Sequence, residues 1–405
     1  MKLQNLIYAT MVACAFSACS NDDDPNIPDP ALELDATFTT AFSAVGNSGS
    51  SLKSVTKADD LNNVSKIGLA VFDATSGNLT GYLERNNGDK ADTTACIAAK
   101  SGSVKVLVIA NPITGMFNGI TTLDGFLDKT SSAEINTESL LMTSKVYNLT
   151  LKVGRNVMVK DLASSAFNGK ATQDQVVEFA NIKVYRNVAR IEVPSITVKP
   201  RDGFGKGKGA TFTLKKVFVA NVCSEVRVGG LNGVSGLFGA EQDWCSVVSK
   251  TSSLKLASET ESDGVYSKKF NEAIIYTNEE NGVKKTIDDT QFFVYDNASA
   301  TVIGAPESKA TLLVLKGDYS YITDAGEIKV IDHYWTVAIN NSLTDTADKD
   351  FLPHCGVLRN VKYVMNVTIT GSGQETIDPN SDAASLTANV EVVPWGQVVL
   401  DPSID

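Results

Sequence analysis

The chain has 405 residues, of which 43% are hydrophobic and 20% are charged, and its formal net charge is −11. This balance is typical of a folded globular protein rather than a disordered one, and the length favours two domains. Because a strongly acidic protein without basic clusters repels phosphate backbones, we expect no binding to nucleic acid.

The first residues have the composition of a secretory leader. Lys2 supplies a positive charge, the stretch from Leu6 to Phe16 is almost wholly apolar, and two small residues precede Cys19. The apolar stretch is too short to remain as a membrane-spanning helix. The pattern predicts a signal peptide at residues 1–18 and lipid attachment to the Cys19 thiol, which anchors the chain by acyl groups. An ordinary signal peptide with an incidental cysteine is the alternative.

Residues 19–31 are predicted to form a polar tether. The run Asp22, Asp23 and Asp24 follows the cysteine closely, and prolines interrupt the remainder, so this stretch cannot build a core. An acidic patch beside a lipid-bearing cysteine resembles the surface-export signal of lipoproteins from Bacteroidales-type bacteria. That resemblance implies a protein on the outer face of the outer membrane.

A leading strand is predicted directly after the tether. From Leu32 to Ala44 apolar and polar residues alternate, which is the period of a half-buried β-strand. The loop that follows is rich in Gly and Ser and has few large side chains, so a protease has access to it. We therefore predict a removable leading segment at residues 32–57, with cleavage after Lys53 or Lys57.

The rest of the chain reads as one strand after another. The predicted strands are rich in Val, Ile, Thr and aromatic residues and are bounded by Gly, Asn, Asp or Ser. They are Ile67–Phe72, Val104–Ala110, Tyr147–Val153, Ile182–Val193, Phe212–Ala220, Phe292–Tyr295, Leu312–Leu315, Tyr334–Ile339, Tyr363–Thr370 and Asn389–Leu400. Short helices are predicted near 123–127 and 133–141. The predicted fold is all-β, with two tandem antiparallel β-sandwich domains at 58–183 and 184–405.

The second domain ends in a polar linker and a final amphipathic strand. The linker at 371–384 is interrupted by Gly and Pro and is long enough to let the strand at 389–400 leave its own domain. If the leading segment is removed, it leaves an unpaired sheet edge that a strand from a neighbouring copy can fill, and such head-to-tail contacts generate filaments. The residues predicted to enter the neighbour are Val390, Val392, Trp395, Val398 and Leu400. The alternative is that both strands simply complete their own domains.

Residues suited to catalysis or metal binding are scarce. The two histidines of the chain, His333 and His354, are too few for a catalytic triad or a multi-histidine metal site. His354 precedes Cys355, but adjacent residues on an extended strand face opposite sides. The glycine-rich segment at 203–209 leads into a strand rather than a helix and so forms no phosphate cradle. We therefore predict no enzymatic activity, no metal and no cofactor.

The cysteines leave several pairings open. Apart from the leader and the lipid site, the chain contains Cys96, Cys223, Cys245 and Cys355, at spacings that fit no metal motif. An oxidising exterior permits a bridge, and Cys223 with Cys245 could close a loop, but four cysteines allow three pairings. Buried free thiols are the alternative.

Several stretches, spread in order over almost the entire chain, carry a family resemblance. Besides the lipobox at Cys19 they are KVLVIANP (105–112), VYRNVARIEV (184–193), FTLKKVFVANV (212–222), QFFVYDN (291–297), VLRNVKYVMNVTITGSG (357–373) and VEVVPW (390–395). Together they resemble the fimbrillin family, the FimA-type pilins of Bacteroidales-type surface fimbriae. The resemblance implies transthyretin-like sandwich domains, export as a lipoprotein, removal of the leading strand by a surface protease, and assembly by strand exchange.

The cleavage site departs from the family pattern. Family members are best known for cleavage after arginine, whereas this loop offers only Lys53 and Lys57, so the position and the protease stay open. Cleavage after Lys57 makes Ala58 the new N-terminus. The partners that the resemblance implies are other copies of the chain, related fimbrial subunits, and the outer membrane through the lipid of the precursor.

Three functions remain compatible with these patterns. The favoured one is a structural subunit of an extracellular adhesive fimbrium. The second is a non-polymerising surface lipoprotein, either a fimbrial anchor or tip or a module that binds glycan or a host protein, and its mature chain would begin at Cys19 rather than near Ala58. The third is a surface hydrolase, which the shortage of histidine disfavours.

Overall fold

The protein is almost entirely β, as the sequence predicts. The structure, a computed structural model, describes residues 36–39, 41–45, 63–86, 97–131, 135–159, 176–178, 182–223, 226–229, 266–288, 290–299, 310–340, 354–377, 385–395 and 398–403. The first half of the chain contains a short helix, α1 (Leu123–Asp128). Its strands are β1 (Ala36–Thr39), β2 (Ala41–Val45), β3 (Lys66–Asp73), β4 (Leu79–Asn86), β5 (Ile97–Ala99), β6 (Gly102–Ala110), β7 (Thr130–Ser131), β8 (Met142–Ser144), β9 (Tyr147–Leu151), β10 (Gly154–Val159), β11 (Val176–Glu178) and β12 (Ile182–Arg186).

The second half of the chain continues in the same way. Its strands are β13 (Ala189–Val198), β14 (Ala210–Ala220), β15 (Val226–Arg227), β16 (Ser267–Tyr276), β17 (Val283–Thr286), β18 (Gln291–Val294), β19 (Asn297–Ser299), β20 (Leu312–Ile322), β21 (Ile328–Ala338), β22 (Cys355–Val357), β23 (Val361–Ile369), β24 (Leu386–Pro394) and β25 (Val398–Ser403). Most pairs are antiparallel, and the parallel exceptions are β1 with β10, β10 with β11, and β13 with β23.

Two sheets of the first half form a sandwich. The smaller sheet has the order β11-β10-β1-β5, and the larger has the order β2-β25-β12-β8-β6-β3-β4, with β9 beside β6. Apolar side chains from both sheets meet in one core, which includes Phe38 from the smaller sheet and Val106 and Val184 from the larger. We call this assembly the first sandwich. Its larger sheet contains strands from both ends of the chain.

The other face of the larger sheet is covered by α1. Thr122 caps this helix, because its hydroxyl accepts a hydrogen bond from the Gly125 N–H at 3.1 Å. Phe126 packs edge-on against Phe72 with ring centroids 5.2 Å apart. The helix predicted near 123–127 is thus confirmed. Residues 135–141, the described part of the other predicted helix, form turns instead, because the Asn136 side chain accepts the Glu138 N–H.

Two further sheets form the second sandwich. One has the order β17-β13-β23-β24 with β18 also on β13, and the other has the order β16-β14-β20-β21. Their facing sides bury Ile191 and Tyr363 against Phe212, Tyr319 and Trp335. The glycine-rich segment 203–209 is a series of turns between β13 and β14, as predicted.

Two of the predicted strands are divided between the sandwiches. The stretch 182–193 contains β12, which pairs with the first sandwich, and β13, which pairs with the second. The predicted division between 183 and 184 therefore lies within β12. The stretch 389–400 is likewise divided into β24 and β25, which pair with different sheets. Residues 398–403, predicted to belong to the second domain, complete the first sandwich.

Candidate functional site

The leading strand lies inside the first sandwich. β1 has β10 on one side in parallel and β5 on the other in antiparallel orientation. Ala36 is 1% exposed and Phe38 is 0% exposed, and both contribute to the first core. Removal of β1 would therefore separate β10 from β5 and open the apolar core.

The strand that follows lies beside the last strand of the chain. β2 forms an edge of the larger sheet, where it pairs only with β25 among the described strands, with Ala41 opposite Ser403 and Val45 opposite Val399. On its other side β25 pairs with β12, which places Leu400 opposite Ile182. The leading segment and the final strand are thus neighbours in one sheet. Loss of the leading segment would leave β25 as the new edge.

The first part of the predicted donor segment lies in the second sandwich. β24 pairs with β23 along its whole length, with Val390 opposite Met365 and Val392 opposite Tyr363. Val390 is partly buried and packs against the second core. β24 and β25 therefore belong to different sandwiches, although they are only a few residues apart in the chain.

Trp395 connects these two strands and is anchored where the sandwiches meet. Its side chain is 2% exposed, and its ring lies 4.6 Å from the Arg186 guanidinium and 5.9 Å from the Phe293 ring. Its backbone N–H donates to the Asn360 carbonyl at 3.0 Å. Within the described residues its indole N–H meets no acceptor. Trp395 is therefore a fixed point from which β25 extends.

The anchor of Trp395 contains a repeated motif whose role the sequence analysis missed. Arg-Asn-Val occurs at 155–157, 186–188 and 359–361, and the last two copies lie in this anchor. The Asn360 side-chain oxygen accepts hydrogen bonds from the Arg186 backbone N–H at 3.2 Å and from its Nη1 at 3.1 Å, and both residues are fully buried. Arg359 forms an ion pair with Asp296 and donates to the Arg227 carbonyl at 2.8 Å. The repetition of the motif was the available signal.

Part of the predicted linker is bound to β21. The Trp335 indole N–H donates to the Gly371 carbonyl at 2.9 Å, and Tyr334 and Gln374 exchange backbone hydrogen bonds of 2.8 and 2.9 Å. Gly373 has φ +70°, and a Cβ there would lie 2.5 Å from the Tyr334 carbonyl oxygen. The expectation of a free linker from residue 371 was therefore wrong for this first part, and residues 378–384 lie outside the described residues.

The histidines have structural contacts. His354 is fully buried, and its Nε2 lies 2.7 Å from the Tyr363 hydroxyl, which also accepts the Leu358 N–H at 2.7 Å. Burial raises the pKa of Tyr363 well above its usual value. His333 lies on β21, where its Nδ1 is 3.0 Å from the Ser372 carbonyl oxygen.

The two cysteines among the described residues differ in their bonding. Cys355 is a buried free thiol, and Cys223 is disulfide-bonded to a cysteine outside the described residues. Among the described residues, no group of three or more His, Cys, Asp or Glu side chains is placed to hold a metal ion. In the same part of the chain no helix is long and apolar enough to cross a membrane.

Several predicted site residues lie beyond this description. Cys19, Lys53, Lys57 and Ala58 are outside the described residues, as are Cys96 and Cys245. Val392, Val398 and Leu400 are placed only by the backbone register of their strands.

Comparison with known proteins points to one family. Residues 36–186 match the family model described as Major fimbrial subunit protein (FimA), whereas curated proteins give no match. A fimbrilin (fimA) from Porphyromonas gingivalis W83 is 16% identical, with a TM-score of 0.55 over 90% of this chain and 98% of that chain. A candidate cell adhesion protein from Parabacteroides distasonis is 18% identical, with a TM-score of 0.57 over 90% and 100%. At such identities the two structures show a shared fold.

Proposed function

Since the match over residues 36–186 confirms the resemblance to the fimbrillin family, we propose that this chain is a structural subunit of a surface fimbria that serves adhesion. It is exported as a lipoprotein with its lipid on Cys19, and a protease at the outer membrane surface removes the leading segment after Lys53 or Lys57. The processed subunit polymerises with copies of itself and with related fimbrial subunits. It has no enzymatic role.

One observation carries the strand-exchange part of this proposal: the leading segment fills the first sandwich at two places. β1 lies between two strands, with four residue pairs to β10 and three to β5, and β2 covers the edge of β25. A single cut in the loop after β2 releases both. The processed subunit then presents an apolar groove with a backbone partner on each side, which is a template for another strand.

The groove favours a strand with apolar residues at every second position. Ala36 and Phe38, two positions apart in β1, are both buried. In β25 the residues Val398 and Leu400 have the same two-residue spacing. A neighbour's β25 therefore supplies a suitable pattern, and its backbone restores the hydrogen bonds that β1 made.

The final strand has a natural pivot. Trp395 is held by Arg186 and by the Asn360 carbonyl, so the part of the chain that precedes β25 stays with its own subunit. Gly396 follows directly, and glycine adopts backbone conformations that other residues avoid. We propose that β25 swings about this point to reach the next subunit, while β24 remains in the second sandwich.

An engineered disulfide that can be reduced again tests this proposal. Ser43 and Asp401 lie opposite each other on β2 and β25, at a separation that suits a disulfide in an antiparallel pair. In the variant Ser43→Cys/Asp401→Cys, oxidation ties the leading segment to the final strand. After proteolytic treatment the oxidised variant should form no filaments in electron micrographs, and reduction should restore filaments. The single variant Ser43→Cys and the unmodified chain, both reduced in parallel, control for the native disulfide of Cys223.

Two results would argue against the proposal. Filaments formed by the oxidised variant would show that polymerisation does not require the leading segment to leave. The second result concerns the N-terminal sequence of surface protein sheared from cells, which the proposal expects to start near Ala58. A start at Cys19 would instead favour a lipid-tethered anchor subunit.

A further inference from the structure

β21 forms an edge of the second sandwich that is only partly covered. On one side it pairs with β20 along its whole length, from Ile328 opposite Ile322 to Ala338 opposite Leu312. On the other side its backbone pairs with the described chain at Tyr334, which bonds Gln374. Within the described part of the chain, no strand or bridge pairs with residues 328–332 on that side.

The backbone of this stretch is oriented for pairing. Tyr334 directs both its N–H and its C=O away from β20, to Gln374. Because backbone groups in an antiparallel ladder alternate in direction, and no register shift interrupts the ladder with β20, Ile328, Val330 and Asp332 direct theirs to the same side. Each of these residues offers one donor and one acceptor.

The side chains of the stretch are unusually apolar for an exposed edge. Ile328 is 72% exposed and Val330 is 67% exposed. Ile275, which is 61% exposed, lies in the same cross-strand row as Val330, because Thr211 pairs with Ile275 and Ser320 pairs with both Thr211 and Val330. Natural proteins usually protect such edges from association, so an open apolar edge indicates a binding surface.

We propose that this edge binds a second copy of the chain, with β21 pairing antiparallel to the partner's β21 about a twofold axis. The free stretch is bounded by the hairpin turn before Ile328 and by the contact at Tyr334, and Val330 is its middle residue. Pairing centred there places Val330 opposite the partner's Val330 and Ile328 opposite the partner's Asp332. All the outward backbone groups of the stretch then find partners.

The charges of the opposed side chains and the occupied backbone groups of Tyr334 select this register. In the centred pairing Glu327 faces the partner's His333, and Lys329 faces the partner's Ile331, so no like charges are directly opposed. A shift by two residues in one direction would place Lys329 opposite the partner's Lys329. A shift in the other direction would require Tyr334, whose backbone groups are taken by Gln374.

Such a contact differs from the proposed strand exchange. It is isologous and closes on two copies, whereas strand exchange is head-to-tail and open. In a filament the β21 edges recur along its length, so the contact would join two filaments side by side. The inference thus goes beyond the proposed function and does not depend on processing.

Cysteine trapping tests the register. Directly opposed residues of a hydrogen-bonded antiparallel pair have Cα atoms about 5.5 Å apart, within the range of a disulfide. The full, unprocessed chain with Val330→Cys should form a covalent dimer as its main product on mild oxidation. Ile328→Cys, which faces a different residue of the partner, and Val153→Cys, which is 67% exposed elsewhere, should not. Equal dimer yields from Val330→Cys and Val153→Cys would overturn the proposal.

A second variant tests the contact without a covalent bond. The Val330 N–H does not bond β20, so Val330→Pro removes the central donor and leaves the β20–β21 ladder in place. In sedimentation experiments the oxidised Ser43→Cys/Asp401→Cys chain, which cannot exchange strands, should show a concentration-dependent dimer that Val330→Pro abolishes without lowering the melting temperature. Should proline lower that temperature, Val330→Lys replaces it. A chain that stays monomeric at all concentrations, or a dimer that survives both substitutions, would refute the contact and leave the strand-exchange proposal unaffected.

Discussion

Phe38 offers a sharp test, because the proposed processing removes it from the mature protein. The side chain is 0% exposed and is among the largest fully buried side chains of the described residues. Truncation of a buried Phe to Ala costs about 3–5 kcal/mol, a large share of the stability of a domain. For domains of 150–250 residues, each kcal/mol of lost unfolding free energy lowers the melting temperature by about 2–4 °C. Phe38→Ala should therefore lower the melting temperature of the precursor by about 6–20 °C.

If processing takes place as proposed, the same substitution should leave the assembled filament unchanged, because the leading segment is no longer part of it. Calorimetry of precursor and sheared filament, each with and without Phe38→Ala, measures both effects. Phe212→Ala is the matched control, because Phe212 is equally buried in the second sandwich and stays in the filament. It should destabilise precursor and filament alike. A filament weakened by Phe38→Ala to the same extent as the precursor would show that the leading strand is retained.

Three further substitutions test individual contacts by urea unfolding. Trp395→Ala should lower the free energy of unfolding by about 3–5 kcal/mol. Trp395→Phe should lower it by less than about 1.5 kcal/mol, because the indole N–H has no acceptor in the described structure. Equal losses of stability in the two variants would contradict this prediction. Tyr363→Phe leaves the Leu358 N–H and the His354 imidazole without their hydroxyl partner, and should lower the free energy of unfolding by about 1–3 kcal/mol. An unchanged urea midpoint would contradict these hydrogen bonds. Gly373→Ala should lower the stability more than Gly326→Ala does. Both glycines have a positive φ, but only at Gly373 would a Cβ come too close to backbone atoms. A larger loss of stability from Gly326→Ala would argue against this close approach.

The strands could be predicted from the local sequence because their buried positions coincide with its apolar residues. Along β23, from Val361 to Ile369, buried and half-buried residues alternate without interruption, as the period-two pattern requires. β6 is instead buried at nearly all its later positions, because the first core lies on one face and α1 on the other. Both kinds of strand were predicted from their Val, Ile, Thr and aromatic residues and from the turn residues that bound them.

The pattern does not state which sheet a strand joins. Two predicted strands, 182–193 and 389–400, each pass from one sandwich to the other, and alternation alone gives no sign of the change. Arg186 and Arg359 were not predicted to be buried, because their partners Asn360 and Asp296 are distant in sequence. The pairing of β2 with β25 joins the two ends of the described chain and leaves no local signal either.

The adjacency of these two terminal strands also constrains the order of folding. β25 lies between β12 and β2, so the larger sheet of the first sandwich lacks an interior member until the last residues of the chain are available. Contacts between such distant segments form slowly, because the intervening chain must first be ordered. The first sandwich therefore stays unfinished until β25 has been synthesised and has joined this sheet.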